Sequence, residues 1–138
     1  GFGSSYEKAR SAIEAIARHF PDRPMTVVFE PHTFSWRNAE ALPWYDTVFA
    51  GVDQVVLLPP PTHGANAHAQ IDQTTIANRI TAAGVRVQAV ADGTGAIAVL
   101  ADTAPNRVVL LLSSGPLDGL ADRLPPVFEA QFAPPAQA

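Results

Sequence analysis

Cysteine is absent from this 138-residue chain, so no disulfide and no thiolate metal site can form. Long apolar runs are absent too. None reaches the roughly 20 residues of a membrane-spanning helix, so no membrane role is expected. Positive charge is scarce: Lys8 is the one lysine, the arginines are scattered, and the net charge is −4. Nucleic-acid binding draws on clustered basic side chains, so nucleic acid is not an expected partner. No basic-then-apolar leader opens the chain, which makes the cytoplasm the expected compartment. There is no internal repeat and no linker, and the length suits one domain with one core.

What is present is a foldable composition, 47% hydrophobic and only 16% charged. Residues Ser5 to Phe20 put Tyr6, Ala9, Ile13, Ile16, Ala17 and Phe20 on one helical stripe, which Pro21-Asp22-Arg23-Pro24 ends. Met25 to Phe29 is predicted as a strand, and Asn38 to Ala50 as a helical stretch made irregular by Pro43. Gln54 to Leu58 is a second strand without alternation, as in parallel sheets covered on both faces. After a loop from Pro59 to Ile71, Asp72 caps a helix running to Ala83, with Ile71 and Ile76 as a hydrophobic staple and Gly84 as its left-handed end. Val85 to Ala91 is a third strand, and Asp92-Gly93-Thr94-Gly95 opens a helix bearing Ile97, Leu100 and Ala101. Val108 to Leu112 is a fourth strand. Ser113-Ser114-Gly115-Pro116 opens a last helix with Leu117, Leu120 and Leu124 on one face.

This alternation predicts an α/β fold: a doubly wound, mainly parallel sheet with helices on both faces. Residues 1–133 form the expected domain, and 134–138 a frayed tail. Right-handed crossovers bring every strand-to-helix loop to one edge, where ligands bind. Four loops should line it: Pro31–Arg37, Pro59–Ile71, Asp92–Gly95 and Ser113–Pro116.

Within those loops His32 can donate to a phosphate or exchange a proton near neutral pH. Arg37 can hold a carboxylate or phosphate through paired hydrogen bonds. Both could equally be solvated surface beyond a strand that Pro31 ends. Ser113, Ser114 and Gly115 suit an anion at a helix N-terminus, or an ordinary cap. Asp92-Gly93-Thr94-Gly95 lacks the Lys-Ser/Thr of a P-loop and the third glycine of a dinucleotide fingerprint, so it reads as turn and cap. His63 and His68, five apart without a nearby carboxylate, make a poor metal site. Trp36 is expected at the rim of the site and Trp44 packed beneath the loop. No Ser-His-Asp order, paired carboxylates or metal cluster stands out, so neither a catalytic residue nor a metal ligand is assigned.

Several segments, taken in order, resemble the C-terminal domain of the Mur ligases, the ATP-dependent amide-forming enzymes of cell-wall synthesis. Phe2-Gly3-Ser4-Ser5-Tyr6 falls where that family has an aromatic-Gly/Ala-His-His-Pro motif. Val28-Phe29-Glu30-Pro31 is similar to its strand ending in Phe-(Glu or Gln)-Pro. Asp53 to Pro59 is similar to its aspartate, apolar run and proline, and Val109 to Gly115 to its strand ending in a Ser/Gly-rich loop. Pro31-His32-Thr33-Phe34-Ser35 resembles the branch that adds L-alanine to UDP-N-acetylmuramate. Glu30-Pro31 with Arg37, and Ser113-Ser114-Gly115 with Gly119, Leu120 and Leu124, resemble the recycling branch more closely. That branch joins UDP-N-acetylmuramate to the murein tripeptide L-alanyl-γ-D-glutamyl-meso-diaminopimelate, and it is the favoured match.

The resemblance implies a Rossmann-like domain that helps position ATP and the incoming acceptor through His32, Ser35, Arg37, Ser113, Ser114 and Gly115. Separate N-terminal and central domains would supply UDP-sugar binding, the P-loop and Mg2+ ligands, so this domain alone would not catalyse. Ser4 and Ser5 stand where the family has histidines, and Thr33 where one branch has arginine. Two other readings fit the residues: a free-standing degenerate binding or regulatory module, or an unrelated flavodoxin-like domain with a small-molecule site.

Overall fold

The computed structural model describes residues 5–31, 36, 39–60, 71–102 and 107–112. Within them helices and strands alternate as the sequence predicts. Helix α1 spans Ser5–His19, strand β1 Met25–Phe29, a 3₁₀ helix Ala39–Asp46, strand β2 Gln54–Leu57, helix α2 Gln73–Ala82, strand β3 Arg86–Ala89, helix α3 Gly93–Ala101 and strand β4 Val108–Leu112. Pro43 sits inside the 3₁₀ helix, where its missing N–H and bulk disfavour α-helical pairing.

The strands form one sheet in the order β3-β2-β1-β4, every pair parallel. Flavodoxin-like sheets place β1 between β2 and β3. Here β1 lies between β2 and β4, so the flavodoxin-like alternative is overturned and the order is Rossmann-like.

Side chains alternate across the pleat and build two cores. On one face Val27, Phe29, Val55 and Leu57 pack with Ala9 and Ile13 of α1, Tyr45 of the 3₁₀ helix, and Ile76 and Ile80 of α2. On the other, Val28, Val56 and Leu58 pack with Ala96 and Leu100 of α3. Val27, Val28, Val55 and Val56 are fully buried, which explains why these strands carry no polar alternation. β3 is largely exposed and lies at one end of the described sheet.

Two details of the predicted helices change or sharpen. Tyr6, Ala9, Ile13 and Ile16 of the α1 stripe do face the core, but Ala17 and Phe20 are exposed. The helix ends at His19, and the Phe20 ring packs on His19 and beneath Arg23 instead. The end of α2 is a Schellman motif: Gly84 N–H donates to the Thr81 carbonyl and Val85 N–H to the Ile80 carbonyl. Gly84 has φ +96°, which closes that motif without a Cβ clash.

Candidate functional site

The strand order decides where this fold opens a crevice. β1 connects towards β2 on one side, while β4 lies on its other side, so the connections diverge between β1 and β4. Open parallel sheets bind ligands beyond the carboxyl ends of strands at such a switch point. Phe29 ends β1 in register with Leu112 at the end of β4, and Glu30 N–H donates to the Leu112 carbonyl at 3.4 Å. The loops that begin at Pro31 and at Ser113 therefore start from neighbouring strand ends.

The helix starts beyond β2 and β3 are occupied by the protein's own groups. Asp72 caps α2 by accepting from Thr75 N–H at 2.8 Å. This bond holds the Asp72 carboxyl below the usual carboxylate range. Asp92 caps α3 by accepting from Gly95 N–H at 2.9 Å. Each carboxylate takes a terminal donor and repels an incoming anion, so neither helix N-terminus offers a phosphate site. Asp92-Gly93-Thr94-Gly95 is thus the turn and cap that its composition predicts. Between β2 and β3, Gln73 Nε2 donates to the carbonyls of Leu57 and Val90, both at 2.8 Å. That carboxamide closes the carboxyl ends of these two strands.

The chain beyond β1 is anchored at Trp36. Trp36 is buried, with 6% of its surface exposed, so the expected place at the site rim is corrected: its indole belongs to the core. The ring meets Phe29 at 5.1 Å, Trp44 at 5.1 Å and Tyr45 at 5.4 Å between centroids. The Tyr45 hydroxyl donates to the Trp36 carbonyl at 2.8 Å. Burial pushes the Tyr45 phenol up, so it stays a neutral donor. Trp44 is half-buried against Tyr6 and Trp36, in agreement with the expectation of packing. The large apolar area of an indole, rather than its sequence neighbours Ser35 and Arg37, decides its position.

His32, Ser35, Arg37, Ser113, Ser114 and Gly115 lie outside the described residues, as do Ser4, Thr33, Asn66, His63 and His68. What is fixed is the frame around them: the strand ends at Phe29 and Leu112 and the anchor at Trp36. Sequence reasoning missed Gln73 and Tyr45. A glutamine after an N-cap and a tyrosine after Pro43-Trp44 carry no motif, because their partners are carbonyls of distant strands and loops. Asp53, singled out only through the resemblance, is structural. Its carboxylate accepts from Met25 N–H at 2.7 Å, at the opposite edge of the sheet.

No family model matches the chain. It is similar to the UDP-N-acetylmuramate–L-alanine ligase of Lactobacillus delbrueckii subsp. bulgaricus, with 36% identity over 76 residues, 55% of this chain and 17% of that enzyme. The corresponding ligase of Acidithiobacillus ferrooxidans is 27% identical over 128 residues, 92% of this chain and 27% of that enzyme. The chain thus spans only a minor part of these curated relatives. Among solved structures, a murein peptide ligase from Psychrobacter arcticus shares the fold with a TM-score of 0.73 and 14% identity, over 96% of this chain and 27% of that one. A domain assigned to a UDP-N-acetylmuramate:L-alanyl-γ-D-glutamyl-meso-diaminopimelate ligase from Haemophilus ducreyi gives 0.61 and 16%, over 94% of this chain and 86% of that one. By sequence the chain is thus similar to part of the UDP-N-acetylmuramate–L-alanine ligases, and by fold to a domain of the solved murein peptide ligases.

Proposed function

We propose that this Mur-ligase-like domain serves an ATP-dependent ligase that joins UDP-N-acetylmuramate to an amino acid or a murein tripeptide. In that reaction the muramyl carboxylate is activated as an acyl phosphate, which the acceptor amine attacks. The N-terminal and central ligase domains, outside this chain, are its partners and would bind the UDP-sugar and most of the ATP. The domain by itself is inactive. The enzyme works in the cytoplasm. No helix among the described residues is long and apolar enough to cross a membrane.

The observation that carries this reading is the switch point. The loops holding the assigned residues start from the paired ends of β1 and β4. Arg37 clamps a carboxylate or phosphate, while His32 and Ser35 line the same edge. Ser113, Ser114 and Gly115 bound the acceptor pocket. Residues 1–133 close over the cleft as one domain and act by orientation and water exclusion rather than by a nucleophile. Among the described residues no three acidic or histidine side chains gather to hold a metal. The resemblance gives the Mg2+ ligands to the central domain.

In the full-length enzyme, Arg37→Ala should raise the apparent KM for acceptor or ATP at least about tenfold, the lower end for a lost charged hydrogen bond. Unchanged kinetics would reject the clamp. The curated relatives are alanine ligases, and the sequence motifs favour the recycling branch. Initial rates with L-alanine against the tripeptide decide between them.

A second reading rests on Ser4 and Ser5, which replace a histidine pair. A degenerate module acting through a partner would leave the full-length protein without ATP-dependent turnover of either acceptor.

A further inference from the structure

At the opposite edge of the sheet, where the strands begin, the face covered by α3 carries a cleft. Gln54 at the start of β2, Arg86 and Gln88 of β3, and Arg107 just before β4 line one side. Ala98, Val99 and Asp102 at the end of α3 line the other. Its volume of about 430 Å3 falls within the range of small-molecule sites.

Two guanidiniums and one carboxylate make the lining net cationic. Arg107 Nη1 donates to the buried Thr26 hydroxyl at 3.1 Å, which fixes the side chain under β1. Its Nε is buried and has no hydrogen-bond partner, so no carboxylate neutralises this guanidinium through it. The ion pairs among the described residues use Arg10 and Arg79, so Arg86 and Arg107 keep their charge for another group. A guanidinium presents parallel N–H donors that match two oxygens of one oxyanion. Asp102 caps the C-terminal end of α3, where the helix dipole is also negative. An anionic group therefore sits against the sheet side, and a donor on the same ligand faces Asp102.

We propose that this cleft binds the oxyanion group, carboxylate or phosphate, of a small polar molecule, held by Arg86 and Arg107 with Gln54 and Gln88 as directional donors. The site is separate from the crevice at β1 and β4 and does not rest on the ligase reading.

Titration of the 138-residue chain with inorganic phosphate and, separately, with succinate tests it, followed by amide NMR shifts. At least one of the two should saturate a single site with shifts at Gln54, Arg86, Gln88 and Arg107, and the preferred one identifies the anionic group. Arg86→Gln, an exposed position that leaves the fold intact, should weaken binding at least about tenfold, as should Arg107→Gln. Asp102→Asn removes the opposing charge and should tighten it. Arg37→Ala should leave it unchanged. The proposal is overturned if neither anion saturates, if Arg86→Gln binds like the parent, or if Arg37→Ala rather than Arg86→Gln abolishes binding.

Discussion

Tyr45 and Trp36 show how one hydrogen bond and one buried indole fix the chain beyond β1. The Tyr45 hydroxyl donates to the Trp36 carbonyl in a buried setting. Tyr45→Phe should lower unfolding free energy by about 1–2 kcal/mol, measured by urea denaturation, because that carbonyl is left unsatisfied. Trp36→Ala should cost more, about 3–5 kcal/mol, through the cavity left among Phe29, Trp44 and Tyr45. If Trp36→Ala were as stable as the parent, the indole would not belong to the core. Asp46 and Arg79 give a pH test at the same scale. The Arg79 guanidinium donates to both Asp46 oxygens, at 2.9 and 2.6 Å, and holds the carboxyl below its usual range. A depressed folded-state pKa adds stability that is complete above the unfolded value of about 4 and is lost as pH falls through the folded value. Thermal melts of Asp46→Asn between about pH 5 and pH 2 should therefore decline less steeply than those of the parent. Superimposable pH profiles would mean that this ion pair does not couple to folding.

Among the elements, the 3₁₀ helix is gripped from both sides. From α1, Arg10 donates to the carbonyls of Val48 and Ala50, both at 2.9 Å, just beyond the 3₁₀ helix, while Arg79 of α2 holds Asp46 at its end. A 3₁₀ helix of this length has poor internal hydrogen bonding, so outside contacts matter to it. Its start and its irregularity at Pro43 were legible in the sequence, because proline acts locally, but it ends at Asp46 rather than at the expected Ala50. The arginine contacts were not, since they join residues 33 to 40 positions apart. The end of α2 was readable in full from Gly84, because glycine alone enters the left-handed region without strain. Gly84→Ala should destabilise by about 1 kcal/mol although open space surrounds the position, because the penalty lies in the backbone. Gly84→Asn should lose less, and a chemical-denaturation series comparing the three residues checks the order.

Across the whole molecule the sheet separates two chemistries, a crevice at the carboxyl edge and a cationic cleft at the amino edge. Between them lie β1 and β2, sealed on both faces, with Asp53 joining their starts through Met25. Native-state hydrogen exchange should accordingly be slowest at Val27, Val28, Val55 and Val56 and faster along Arg86–Ala89, where β3 is exposed. Equal protection of β3 would mean that this strand is covered in solution. The sequence by itself determined the α/β class, the parallel strands, the caps at Asp72 and Asp92 and the stop at Gly84. Each follows from periodicity or from a residue's own backbone preference, which are local properties. Only the tertiary structure decided the order β3-β2-β1-β4, the switch point that pairs the ends of β1 and β4, the burial of Trp36, and the cleft that Arg86 and Arg107 both line. Those depend on which distant segments pack side by side, and a pattern of apolar residues is the same for every order in which the strands could be laid down.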